Sequence, residues 1–159
     1  MANPSKNKGT AAETALLRWL RTNGFPWAER LALAGAADCG DISLLPGRAV
    51  VLEVKAHANA GRGIPQDAQL TEWMAQAAAE RDNAGADLCP LVLRRAGAGA
   101  GDPGRWWAWL TFADVVTLTG APLNVATPLA PICMSVASMV ALLRAAGYGT
   151  ALDAQDGAA

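Results

Sequence analysis

The chain has 159 residues, 52% hydrophobic and 17% charged, enough apolar material for one domain that buries about 70% of its unfolded surface. No apolar run approaches the ~20 residues that span a bilayer, and the opening MANPSKNKGT lacks the apolar stretch of a secretory signal, so a soluble, cytoplasmic protein is expected. Three scattered cysteines (Cys39, Cys89, Cys133) and one histidine (His57) suggest neither a disulfide framework nor a zinc site, and a net charge of −1 does not by itself call for a nucleic-acid partner.

Residues 1–9 read as a basic flexible tail. TAAETALLRWLRTNG then predicts a helix from about Thr10 to Asn23, stopped by Gly24. Thr10 and Glu13 have capping-box spacing, and Leu16, Leu17 and Leu20 form the inward stripe, with Glu13 at its edge. WAERLAL alternates as a strand does, and GAADCG leads into the hairpin GDISLLPGRAVVLEVKAH. A second helix is expected over 66–83, with Leu70, Trp73, Met74 and Ala77 turned inward. DLCPLVLRR and RWWAWLTF read as strands. The glycine-rich AGAGAGDPG between them lacks the Gly-Lys-Ser/Thr ending and leads into a strand, which marks a hairpin connection rather than a phosphate cradle. A short helix at FADVVTL, a proline-broken loop GAPLNVATPLAPI, a last helix near SVASMVALLRAAG and a flexible tail over 148–159 complete the chain. The expected architecture is a single α/β domain over 10–147, a mixed β-sheet flanked by helices, with a C-terminal helical segment after residue 130.

The hairpin is the informative stretch. A three-residue Pro-Gly-Arg turn sets Leu45 against Ala49 and, counting back, Asp41 against Glu53, with Cβ atoms about 5 Å apart. Lys55 projects from the same face, because strand side chains alternate. Ile42, Leu44, Val50, Leu52 and Val54 make the other face apolar. Two carboxylates so close repel unless a cation lies between them, and their oxygens suit Mg²⁺, with Mn²⁺ as a substitute. A cation held there activates water, and a neighbouring lysine orients that water or offsets developing charge, which is the chemistry of phosphodiester hydrolysis. The alternative is a solvated Glu/Lys pair with Asp41 as a turn residue. Charge is also uneven: residues 1–62 carry a net +3 and the remainder a net −4, so the basic part coincides with the hairpin.

Asp41, a strand-turn-strand interval, then Glu53-x-Lys55, after a helix bearing Glu13, resembles the PD-(D/E)xK nuclease superfamily. Within it the likeness is nearest to archaeal and phage Holliday junction resolvases, through Lys8-Gly9, Glu13, Gly24-Phe25 and a basic Arg30 on the first strand, over roughly residues 6 to 110. The resemblance implies a restriction-endonuclease-like fold and a Mg²⁺-dependent endonuclease that acts on four-way junctions as a homodimer. It makes Asp41 and Glu53 the principal metal ligands, the Val54 carbonyl a third, and Lys55 the catalytic lysine. Glu13 either reaches the metal or caps its helix. Lys6, Lys8, Arg30 and Arg62 become phosphate contacts. Ser43 touches a phosphate or merely hydrogen-bonds within the hairpin, and Gln69 is an accessory polar residue or plain helix surface. Gly40 stands where the superfamily pattern has proline, and Asp38 is a second acidic candidate. Trp106, Trp107 and Trp109 suggest core packing first, then a subunit interface, and last base stacking. A catalytically silent DNA-binding module and a nicking or exonucleolytic relative are the other readings.

Overall fold

The computed structural model describes residues 4–32, 38–47, 49–56, 65–124 and 129–151, with side chains from Gly9 onward. Helix α1 (Pro4–Thr22) begins well before Thr10. Proline suits a first helical turn because its missing N–H has no partner to lose there. Thr10 therefore lies inside the helix, where its carbonyl accepts the Thr14 hydroxyl at 2.8 Å, and the expected Thr10/Glu13 capping box does not form. The predicted stop does form. Gly24 has φ +103°, and a Cβ there would lie 2.6 Å from the Arg144 side chain, so both backbone sign and space require glycine.

Among the described residues six strands form one sheet in chain order: β1 (Glu29–Arg30), β2 (Ile42–Ser43), β3 (Val51–Lys55), β4 (Leu91–Leu93), β5 (Trp107–Thr111) and β6 (Pro131–Ser135). Only the β3/β4 pair is parallel; the others are antiparallel. A parallel neighbour needs a crossover, and helix α2 (Asp67–Ala84) supplies it. The glycine-rich connection joins the antiparallel β4 and β5, as expected. It is fastened by Trp106, whose indole N–H donates to the Ala98 and Gly99 carbonyls at 3.2 and 3.3 Å.

Strand alternation sorts the side chains into two layers. Val50, Leu52, Val54, Val92, Trp106, Ala108 and Leu110 pack with Leu16 and Leu20 of α1, Leu118 of α3 (Phe112–Leu118) and Met139 and Leu143 of α4 (Val136–Ala145). Leu91, Leu93 and Trp109 face the opposite way, against Leu70 and Trp73 of α2. The result is an α/β domain with a six-stranded mixed sheet between helical layers. No helix among the described residues is long and apolar enough to cross a membrane.

Three expectations change at the C-terminal end. Residues 131–135, assigned in part to a proline-broken loop, are strand β6, tolerated because Pro131 is its first residue and the strand lies at the sheet edge. The segment after residue 130 is consequently not an addition to the domain: Val136, Met139, Val140 and Leu143 are buried in the main core. Thr150 and Ala151 are not frayed either. The Thr150 N–H donates to the Gly24 carbonyl at 2.8 Å, and Arg144 holds the Thr150 and Ala151 carbonyls at 3.1 and 3.0 Å.

Candidate active site where β2 meets β3

The β2/β3 register, Ile42↔Leu52 and Ser43↔Val51, agrees with the expected pairing of Leu45 with Ala49. Asp41 departs from it by a small step. Its N–H donates to the Leu52 carbonyl at 2.8 Å, although Leu52 is already the partner of Ile42. Its carboxylate accepts the Val54 N–H at 2.8 Å. That N–H is available because alternate β3 amides serve β4, as the Glu53 N–H does by donating to Pro90. Asp41 thus stands in for a missing backbone acceptor. Gly40 makes this approach possible: it has φ +91°, and a Cβ would meet the Leu52 carbonyl oxygen at 3.2 Å.

Glu53 and Lys55 project toward α2, on the side of their β4 partners Leu91 and Leu93. Glu53 is only 5% exposed and is ion-paired with Lys55. Burial first, and the charge of Glu53 second, push the Asp41 carboxyl up to about 7. Burial does the same to Glu53, up to about 7, against the opposing pull of Lys55. Burial alone would lower the Lys55 ammonium, but its hydrogen bond and charge interaction with Glu53 carry it upward. Near neutral pH both carboxyls therefore hold in part protons that free carboxyls would have released.

A fourth member comes from α2. Glu80 is 7% exposed, adds to the upward shift of Glu53 and is itself raised, chiefly by burial. It continues the buried stripe Leu70, Trp73, Ala77, so the signal available in the sequence was a glutamate three residues beyond the last inward alanine. Asp38 lies at the exposed rim and adds charge facing Glu80, while its backbone carbonyl accepts the Asn83 amide at 2.8 Å. The half-buried Cys89 thiol is pushed up by burial and the nearby carboxyls, and so stays neutral.

The remaining expected residues divide. Glu13 is ion-paired with Arg30 and close enough to Asp41 to raise its pKa, so it flanks the pair from the α1 side. The Arg30 side chain is 40% exposed. Ser43 is 1% exposed and donates to the Leu45 carbonyl at 2.9 Å, which makes it a hairpin residue and removes it from the surface where a phosphate contact was considered. Gln69 donates to Glu72 at 3.1 Å on the exposed side of α2. Lys6 and Lys8 have side chains outside the described set, and Arg62 and His57 lie outside the described residues altogether. Trp106 and Trp109 are buried within this one chain, which leaves them no surface for a subunit interface, while Trp107 is half-buried with Arg95 stacked 4.1 Å from its ring centroid.

The donor set of the site is carboxylate oxygen, the kind that Mg²⁺ and Mn²⁺ take. Among the described residues no three acidic, histidine or cysteine side chains already form a cation-holding group; Lys55 holds Glu53, and the Val54 N–H holds Asp41. Comparison with protein-family models, with curated proteins and with solved structures finds no match.

Proposed function

We propose that the chain is a divalent-cation-dependent DNA endonuclease of the PD-(D/E)xK type, acting on branched DNA as a Holliday junction resolvase. The observation that carries this reading is the convergence of Asp41, Glu53 and Lys55 at one end of the β2/β3 hairpin, with both carboxyls under electrostatic stress that a cation would relieve. The topology supports it: a helix, three antiparallel strands, a crossover helix and a fourth strand parallel to the third make the framework expected of a restriction-endonuclease-like fold. The basic balance of the first 62 residues supports a phosphodiester substrate.

In this mechanism Asp41 and Glu53 would hold the cation, Mg²⁺ by preference and Mn²⁺ as substitute, with the Val54 carbonyl as a third ligand. When bound, the cation supplies Lewis-acid polarisation of the phosphate and a lower pKa for an attacking water. Lys55, released from Glu53, orients that water or offsets the charge that accumulates on the phosphoryl oxygens. Water attacks phosphorus, the P–O bond to one deoxyribose breaks, and the proton that the water gives up to solvent is balanced by one that the departing oxygen takes from solvent, leaving a phosphate monoester and a free hydroxyl. Arg30, Lys6, Lys8 and Arg62 steady the flanking phosphates. A four-way junction needs two such cuts, for which a two-fold homodimer is the simplest supplier.

One observation favours a second reading, a catalytically silent DNA-binding module: the Lys55–Glu53 pair is closed in a site without a ready-made cation group among the described residues. A substrate panel separates the two. With Mg²⁺, a dimer in solution that cuts a labelled four-way junction in preference to linear duplex of the same sequence supports the resolvase. A monomer that degrades linear ends equally well leaves a nuclease of another kind. Absence of cleavage of junction, flap, single strand and duplex with either cation favours the silent module.

A further inference from the structure

The two edges of the sheet are built differently. β1 has two residues, Glu29 and Arg30, both charged and exposed, which is how an edge is kept from pairing with another chain. β6 has five, Pro131–Ser135, none of them charged, and among the described residues no strand lies beyond it. Its register on β5 fixes where its backbone groups point. The Phe112 N–H donates to the Ala130 carbonyl at 2.8 Å, and the Val136 N–H to the Trp106 carbonyl at 2.9 Å. Hydrogen-bonded pairs alternate along an antiparallel ladder, so those between these two ends are Leu110↔Ile132 and Ala108↔Met134. Ile132 and Met134 therefore turn their backbone groups to β5, and Pro131, Cys133 and Ser135 turn theirs to the open side. Proline stands at an outward position, where it has no ladder bond to lose. Ile132 to Ser135 are only half-buried, and Leu129, just before the strand, is 77% exposed.

We propose that the open side of β6 pairs antiparallel with β6 of a second copy of the chain, about a two-fold axis through Cys133. The strand is complementary to itself. Cys133 exchanges both backbone hydrogen bonds with its counterpart, and the Ser135 N–H of each copy donates to the Pro131 carbonyl of the other. The missing N–H of Pro131 then falls at the ends of the new ladder and never in its middle. Because the strand carries no charge, the pairing sets no like charges against each other. Ile132 of one copy lies opposite Met134 of the other, which extends the apolar layer to which Met134 belongs. The proposal rests on the nuclease reading only for its need of two copies, and it gives that homodimer a surface. The two sheets become one, with the β3 strands about 34 Å apart along it at ~4.8 Å per strand spacing.

Sedimentation equilibrium of the full chain and of two variants at one position tests the pairing without reference to cleavage. Ser135 has φ −73°, which proline adopts, and its hydroxyl caps α4 by accepting the Ser138 N–H at 3.0 Å. Ser135→Pro removes both the cap and the outward N–H, whereas Ser135→Ala removes the cap alone. Wild type and Ser135→Ala are expected to form dimers of equal Kd. Ser135→Pro is expected to weaken the dimer by about tenfold or more, since symmetry removes two hydrogen bonds at once. Should the proline variant fail to fold, thiol cross-linking carries the test. In a Cys39→Ser/Cys89→Ser background a short bismaleimide is expected to join two chains through Cys133, and Cys133→Ser to abolish the product. Equal weakening by Ser135→Ala would assign the effect to the cap and overturn the pairing. A dimer that neither cross-links at Cys133 nor responds to Ser135→Pro uses another surface, which overturns the proposal and leaves the homodimeric nuclease reading standing. A wild-type chain that stays monomeric at micromolar concentration overturns the pairing, and Mg²⁺-dependent cleavage by that monomer would show that the nuclease reading survives it.

Discussion

Metal-free protein should lose stability as the pH rises through the neutral range, the opposite of the usual carboxylate behaviour. In the fold, Asp41 and Glu53 are both pushed up to about 7, by burial first. A raised carboxyl favours the folded state while it is protonated there, so its stabilisation is complete below its ordinary value and is lost as the pH climbs through the folded value. Moving Glu53 from 4.5 to about 7 makes its ionisation about 3 kcal/mol more costly in the fold than in the unfolded chain. Asp41 and Glu80 act with the same sign. Lys55, raised from 10.5, keeps its stabilising contribution throughout this window and loses it only at higher pH. For a chain of this length each kcal/mol moves the melting temperature by about 2–4 °C. Circular-dichroism melts in EDTA should therefore show Tm falling by about 6–12 °C between about pH 4.5 and pH 7.5. The Asp41→Asn/Glu53→Gln double variant should flatten that slope. A Tm that holds level or rises in wild type over the same range, or an equal slope in the double variant, would refute the assignment of buried, mutually repelling carboxyls.

If the segment after residue 130 is integral to the core, Met139→Ala should cost about 2–5 kcal/mol in denaturant unfolding, since Met139 is fully buried; a loss below 1 kcal/mol on the order of surface substitutions would return that helix to the periphery. Arg30→Gln should weaken DNA binding alike for all sequences and reduce the salt dependence by about one unit of log–log slope, as should neutralising Lys6, Lys8 or Arg62. An unchanged slope for Arg30 would leave it as the partner of Glu13 and nothing more.

The parts of the structure legible in the sequence are those fixed by short-range rules. Strand pairing and alternation were enough to predict the β2/β3 register and the shared side of Glu53 and Lys55, though not the offset of Asp41, and helical periodicity to turn Leu70, Trp73 and Ala77 inward. Glu80 escaped the same periodicity because a charge on a helix is ordinarily read as solvated, and only the sheet behind α2 shows that this position is buried. Strand β6 was hidden by its leading proline, which counts against a central strand but not against an edge. The early start of α1 was masked by Thr10 and Glu13, whose spacing mimics a helix beginning. The displacement of Asp41 onto the Val54 N–H depends on the positive φ of Gly40, a tertiary detail that residue spacing does not carry.

The most direct test of the central claim is cleavage of an end-labelled four-way junction by wild type and by Glu53→Gln, each with Mg²⁺ and with EDTA, alongside binding of the same junction. The account predicts Mg²⁺-dependent cutting by wild type, abolished in EDTA, and a Glu53→Gln protein that still binds the junction but has lost most cleavage. Cutting by Glu53→Gln at the wild-type rate, or by wild type in EDTA, would contradict a cation site built on Glu53.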